Sequence, residues 1–245
     1  MLHGVSVVVV VPAYDEAKRI GRVIRAMPAC VDSIVLVDDA STDGTAAAAR
    51  EAADVRVVVI SHSVNRGVGA AIVTGYAHAA GACGVSDRRD PRDAFVVMAG
   101  DGQMDPADLP RLVLPIAKGE ADYVKGDRFR AKDIAHVMPR GRLLGGRVFS
   151  WLTSRAIGVE VSDSQCGYTA LARGACARLD LADVWTGYGY PNDLLGQLAR
   201  RGMRIAEVQV RAVYADEVSR LRPRHLFTIA RLIARAAWKR SRGVK

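Results

Sequence analysis

The run VSVVVVVPAY, residues 5–14, constrains the fold more than any other stretch of the chain. β-Branched side chains are stiff and favour extended backbone. An unbroken apolar run without polar alternation predicts a strand covered on both faces, as in a parallel sheet. The period then changes. In DEAKRIGRVIRAMPA, Ile20, Val23, Ile24 and Met27 fall on one side of a helix. Strand followed by helix recurs in DSIVLVDDAS with TDGTAAAAREAA, where Thr42 or Asp43 is the capping candidate, and in VRVVVISHS with NRGVGAAIVTGYAHAA. It recurs again in DAFVVMAGD with DPADLPRLVLPIAKG, a helix that Pro110 and Pro115 should shorten or bend, before the strand ADYVKGDRF. This alternation predicts an α/β sandwich with a mostly parallel central sheet and helices on both faces. Ligands of such sheets bind beyond the carboxyl ends of the strands.

The polar residues stand where that rule places a site. Pro12, Tyr14 and Glu16 follow the first strand, Asp38 and Asp39 the second, and Asn65, Arg66 and Gly67 the third. Gly100, Asp101 and Gln103 follow the fourth, with Asp105 expected to cap the next helix and Pro106 at its first position. A carboxylate at the end of a buried strand suits a divalent ion shared with phosphate oxygens.

A chain of 245 residues, 50% of them hydrophobic, is long enough for one large domain with a substantial core. Cys30, Cys83, Cys166 and Cys176 stand singly, which predicts reduced thiols in a cytoplasmic protein rather than a zinc site or a disulfide framework. The N-terminal run is too short to span a bilayer, and no transmembrane helix is expected. The net charge of +9 is concentrated. Nine Lys or Arg and no Asp or Glu lie between Arg220 and Lys245, so the remainder is balanced. A neutral body with a cationic tail points to one adhesive segment rather than to nucleic acid. In RPRHLFTIARLIARAAWKRSR the apolar residues Leu226, Phe227, Ile229, Ala230, Leu232, Ile233, Ala236 and Ala237 form a broad side opposite Arg231, Arg235, Lys239, Arg240 and Arg242. That pattern predicts a helix lying on an anionic membrane, with Trp238 near its boundary. The alternative is an amphipathic helix packed on the body.

The segments VVVPAYDEAKRI, VLVDDASTDGT, NRGVGAA and AGDGQMDPADLP together resemble, in order, the nucleotide-sugar half of family 2 glycosyltransferases with the GT-A fold. DYVKGDRF, DSQCGYTAL and GYGYPNDLLGQLARRGMRIAEVQV continue the resemblance over roughly residues 5–215. These later segments are most similar to the branch of dolichyl-phosphate mannosyltransferase and the bacterial polyprenyl-phosphate glycosyltransferases. The resemblance implies a GT-A domain over 1–219, with a nucleotide-sugar half at about 1–130, an acceptor half at about 131–219 and the basic helix at 220–245. It implies that Asp101 holds Mg2+ or Mn2+ with Gln103 close by, although Ala99 stands where the family commonly has a first Asp. It also implies that Asp39 hydrogen-bonds the nucleobase or ribose of a UDP-, GDP- or dTDP-sugar. Pro12, Tyr14 and Glu16 would wall the same pocket, and the amides around Asn65, Arg66 and Gly67 would face the diphosphate.

The acceptor decides the sub-class. A sugar hydroxyl requires a general base, and Asp193 in YPNDLLGQL is the candidate; its other reading is a helix cap. A lipid phosphate is already anionic and requires arginines instead. Arg128 resembles the arginine of the family's GSRY/F stretch. Arg140 and Arg142 lie on the basic segment that follows, and Ser219 and Arg220 resemble the stretch that closes over the acceptor. Asp163 and Gln165 either touch the sugar or order their loop. The arginines favour an inverting transfer to a polyprenyl phosphate at the cytosolic membrane face. The alternatives are transfer to a glycan or small-molecule hydroxyl, and a non-catalytic nucleotide-sugar-binding protein. A membrane-protein partner or a homodimer is a further expectation.

Overall fold

The computed structural model describes residues 1–81, 90–131, 134–213 and 223–243. The opening apolar run becomes β1 (Val7–Ala13), buried at every position. It is followed by α1 (Ala17–Arg25), β2 (Ser33–Asp38), α2 (Thr45–Glu51), β3 (Val57–Ser61) and α3 (Val68–Gly81). Next come β4 (Ala94–Val97), α4 (Leu109–Ala117), β5 (Tyr123–Asp127), the short α5 (Ile134–Val137) and α6 (Arg140–Ile157). The chain ends with β6 (Thr169–Ala172), the short α7 (Arg173–Cys176), α8 (Tyr190–Arg200), β7 (Ile205–Gln209) and α9 (Pro223–Ser241).

The strands form one seven-stranded sheet in the order β3-β2-β1-β4-β6-β5-β7. β6 runs antiparallel to both of its neighbours, and every other pairing is parallel. The chain lays β2 and β3 on one side of β1 and then places β4 on the other. The carboxyl ends of β1 and β4 therefore flank the point where the winding reverses, where a doubly wound sheet opens its ligand crevice. α4 ends soon after Pro115, which has no N–H to continue the ladder. The capping residue of α2 is Gly44, in left-handed conformation, and Asp43 beside it accepts the Thr45 N–H. Cys30, Cys166 and Cys176 are free thiols, while Cys83 lies outside the described residues. No helix of the described residues is long and apolar enough to cross a membrane.

α9 corrects the expectation for the tail. Its apolar residues Ile229, Leu232, Ile233 and Ala236 are buried, and the helix packs against α6 and α8. Two of its cations face acids of the body. Arg235 and Lys239 both pair with Asp183, and Arg235 Nη1 lies 3.6 Å from Asp193. Arg240 donates to the Arg155 carbonyl at the end of α6. Helical periodicity gives the direction of an apolar stripe, not its partner. For Ile229, Leu232, Ile233 and Ala236 the partner is protein, while Leu226 and Phe227 of the predicted stripe are exposed.

Leu232 and Phe227 provide the test. Replacing buried Leu232 with Ala should cost about 2–5 kcal/mol in urea unfolding. Replacing Phe227, 80% exposed, with Ala should change stability by less than about 0.5 kcal/mol. An undocked α9 would make the two substitutions equal.

Candidate active site

The donor edge is built by loops that tie to one another. Asp39 ends β2 as a buried residue, and its backbone N–H donates to the Ala13 carbonyl at the end of β1. Its carboxylate receives three donors from the loop after β3. Oδ1 lies 2.6 Å from His62 Nδ1 and accepts the Arg66 N–H at 2.9 Å, and Oδ2 accepts the Gly67 N–H at 2.7 Å. A carboxylate only accepts, so Nδ1 carries the hydrogen, and His62 Nε2 reaches Thr74 Oγ1 on α3. Asp39 thus has a structural task beyond the ligand contact expected of it. His62 was not legible as its partner, because nothing in HSVNRG marks the histidine as facing back to β2.

The amides of the Asn65–Gly67 turn also need correction. Arg66 and Gly67 give theirs to Asp39, and Gly69 and Ala70 give theirs to the Thr186 carbonyl, at 2.7 and 3.1 Å. A Cβ on Gly69 would lie 2.1 Å from the Trp185 carbonyl oxygen, so only glycine admits this approach. The start of α3 is therefore sealed by protein. These four amides are not presented to a diphosphate. The Asn65 and Arg66 side chains are exposed.

On the rim, Asp15 and Ala40 both hold positive φ, at 52° and 61°. The strained turns lock together. Asp15 N–H donates to Ser41, Glu16 N–H to Thr45, and Thr42 N–H to Asp15. Asp38 accepts the Ser41 N–H, a structural role. Pro12 is buried in β1, Tyr14 is exposed at the rim, and Glu16 is buried with its carboxylate on Arg19. Non-glycine residues kept at positive φ mark places where the surroundings impose geometry.

Across the switch point, Gly100 N–H donates to the Pro12 carbonyl, which joins the β4 loop to β1. Asp101 is half-buried, and its Oδ1 accepts the Gln103 N–H at 3.0 Å, a turn closed around Gly102. Asp105 caps the following turn as expected, accepting the Ala107 N–H. Among the described residues no three His, Cys, Asp or Glu side chains gather to hold a metal ion. The donor set is one carboxylate with an amide beside it. That fits an ion whose remaining ligands come from a bound diphosphate.

The acceptor-side residues meet this loop in one cleft. Gln103, Met104, Arg128, Gly167, Tyr168 and the Val210–Val213 segment line it. The last of these closes back on the β4 loop, where Val213 N–H donates to the Gln103 carbonyl. Arg128 is gripped by Asp163, with Nε to Oδ2 at 2.7 Å and Nη2 to Oδ1 at 3.0 Å. Glu207 of β7 holds the Asp163 loop by accepting the Ser162 N–H. Burial would push the Asp163 carboxyl up, but the Arg128 charge and hydrogen bonds outweigh it and hold its pKa below the ordinary value. Asp163 therefore orders Arg128, and Gln165 donates to Ser164 and to Asn192. Arg211, which the sequence did not single out, lines the same cleft. Arg140 and Arg142 are exposed on the first turn of α6, and Ser219 and Arg220 lie outside the described residues.

Asp193 stands apart. It does not line the cleft and does not cap α8, whose N-cap is Gly189. It is buried; Oδ2 accepts the Trp185 N–H, and Oδ1 faces Arg235 of α9. Burial raises its pKa against the opposing Trp185 hydrogen bond and Arg235 charge.

The profile of the Glycosyl transferase family 2 matches residues 8–179. The chain belongs to this family. It is 28% identical over 224 residues to the UDP-N-acetylglucosamine–dolichyl-phosphate N-acetylglucosaminyltransferase of Methanococcus voltae, covering 84% of this chain and 85% of that one. It is 30% identical over 224 residues to the undecaprenyl-phosphate mannosyltransferase of Micrococcus luteus, covering 83% and 82%. Glucosyl-3-phosphoglycerate synthase of Mycobacterium tuberculosis, solved with Mn2+, UDP and glucosyl-3-phosphoglycerate, superposes with a TM-score of 0.71 at 22% identity, covering 96% of this chain and 81% of that one. The mixed α/β sheet with a GT-A neighbour agrees with the fold expected from the sequence.

The Asp163 grip gives a pH-dependent prediction. A carboxyl held below its ordinary pKa of about 3.9 contributes stability that is fully present above that value and lost as pH falls through the lowered one. Asp163→Asn should destabilise by about 3–5 kcal/mol at neutral pH, the usual consequence of leaving a buried partner unpaired. It should also weaken the acid-induced drop in melting temperature seen in the parent protein. Parallel melting curves against pH check this; equal acid sensitivity would contradict it.

Proposed function

We propose that the protein is an inverting, metal-assisted glycosyltransferase that moves one sugar from a nucleotide sugar to a polyprenyl phosphate at the cytosolic face of a membrane. The observation that carries this is the cleft in which Gln103 and Met104, just after Asp101 in the β4 loop, meet Arg128 and Arg211. A diphosphate on one side and an anionic acceptor on the other both require cations and hydrogen-bond donors, and the cleft supplies arginines rather than a base. Two relatives named for transfer to dolichyl or undecaprenyl phosphate support the acceptor class.

The lipid phosphate oxygen attacks the anomeric carbon in line. The bond from that carbon to the donor diphosphate oxygen breaks, and the nucleoside diphosphate leaves with the electron pair, inverting the anomeric centre. No proton need be removed from the nucleophile, so no general base is required. Arg128, held by its fork to Asp163, orients the acceptor phosphate. Arg140, Arg142, Ser219 and Arg220 are the further acceptor contacts in this reading. Asp101, with Gln103 beside it, would hold Mg2+ or Mn2+, which when bound would offset the charge on the departing diphosphate. Asp39, with one carboxylate lone pair beyond those that meet His62, Arg66 and Gly67, keeps the nucleotide pocket in shape and meets the base or ribose.

Asp193 favours this over a hydroxyl acceptor, because it is buried, paired with Arg235 and outside the cleft. The test is a panel of UDP-, GDP- and dTDP-sugars offered with a short-chain polyprenyl phosphate, a polyprenol and 3-phosphoglycerate, with products read by mass. The proposal expects a lipid phosphate glycoside from one donor. Transfer only to a hydroxyl acceptor, or to none, would overturn it. Asp101→Asn should lower kcat about a hundredfold or more, the usual loss when one electrostatic group at the reacting centre is removed. Asp193→Asn should turn over near the parent rate.

A further inference from the structure

α6 carries an apolar stripe that points away from the body. Leu144, Val148 and Trp151 are 67%, 48% and 61% exposed, and Leu152 continues the stripe. Spacings of three, four and seven residues place them on one side of the helix. Its opposite side, Ser150, Thr153, Ala156 and Ile157, is buried. A folded helix that buries small and polar residues while exposing a tryptophan and two aliphatic side chains is oriented the reverse of the usual amphipathic helix. Scattered exposed apolar residues need no explanation, but a contiguous stripe on one helix does.

Charge indicates what covers it. Between Ile134 and Val159 the sequence has Arg140, Arg142, Arg147 and Arg155 and no Asp or Glu. All four arginines are exposed. An apolar stripe with a tryptophan, flanked by arginines and free of acids, matches an anionic lipid surface, with the apolar side chains at the acyl boundary and the guanidinium groups among the headgroups. A partner copy of this chain would instead bring arginines against arginines.

The position of α6 connects this surface to the cleft. Gly146 lies against the Phe129 ring, next to Arg128 in sequence. Leu143 and Phe129 share a small apolar cluster with Ala212, next to Arg211. Both arginines line the cleft. We propose that the exposed Leu144–Val148–Trp151 face of α6 docks on an anionic membrane and thereby sets the cleft at headgroup level. The proposal takes the acceptor reading above as its frame and moves the membrane contact from α9 to α6.

The test uses the full chain and phosphatidylcholine vesicles with and without phosphatidylglycerol, containing no polyprenyl phosphate. The parent protein should co-sediment with the phosphatidylglycerol vesicles and show a blue shift of tryptophan emission. The triple variant Leu144→Ser/Val148→Ser/Trp151→Ser should lose roughly tenfold or more in partitioning, because fully burying even one such side chain is worth about that factor. Arg147→Glu should weaken binding to the anionic vesicles while leaving the melting temperature unchanged, which keeps the test decisive if the triple variant folds poorly. Parent protein that ignores the vesicles, or variants that bind as the parent does, would overturn the proposal. So would a parent dimer that the triple variant converts to monomer in sedimentation, since the stripe would then be a self-interface. Failure of the acceptor reading is a separate result, namely vesicle binding intact with no transfer to any polyprenyl phosphate.

Discussion

The donor edge depends on one buried carboxylate. Asp39 holds the loop after β3 through His62, Arg66 and Gly67, while its own backbone N–H is held by β1. Hydrogen bonds to a charged group are worth about 1.5–3 kcal/mol each, and the same group left unpaired in the interior would be costly. The three donors are therefore obligatory as well as stabilising. Because they fix the start of α3, they also fix where Thr186 caps it, and Thr186 belongs to the segment that leads into α8. The nucleotide side and the acceptor side are thus joined through backbone groups and not only through the sheet.

The acceptor side shows the same logic with the charges exchanged. Arg128 is one of two arginines at the cleft, Asp163 fixes it, and Glu207 on β7 fixes the Asp163 loop. The antiparallel β6 places Cys166–Tyr168 beside the ends of β4 and β5, which brings that loop to the cleft. On the far side of α8, Asp183 and Asp193 receive Arg235 and Lys239, so the cationic helix is drawn onto the body. Two of the nine cations that look adhesive in the sequence, Arg235 and Lys239, are neutralised by acids of the body.

This explains which features were legible in advance. β1, β2 and β4 are apolar runs that need two covered faces, and the polar residues after them could only gather at the carboxyl edge. Periodicity and strand order carry that much. β6 was not legible as antiparallel because TALA is four residues long and pairing direction leaves no trace in so short a run. The amides of Arg66 and Gly67 go to protein instead of a diphosphate because a carboxylate distant in sequence, Asp39, reaches them. α9 was misplaced for the same reason, since amphipathicity does not distinguish lipid from α6 and α8. The stripe on α6 was hidden inside a helix whose basic character drew attention to its arginines.

The most direct measurement of the central claim, that Asp39 assembles the donor edge, is calorimetric titration of nucleoside diphosphates with Mn2+ into the parent protein and Asp39→Asn. An asparagine offers one acceptor oxygen and one NH2 to a position that meets two backbone N–H groups and His62 Nδ1, so one donor must face another. The account predicts a folded variant whose affinity falls by about tenfold or more, roughly 1.4 kcal/mol. Equal affinity in the two proteins, or no nucleoside diphosphate binding by the parent, would contradict it.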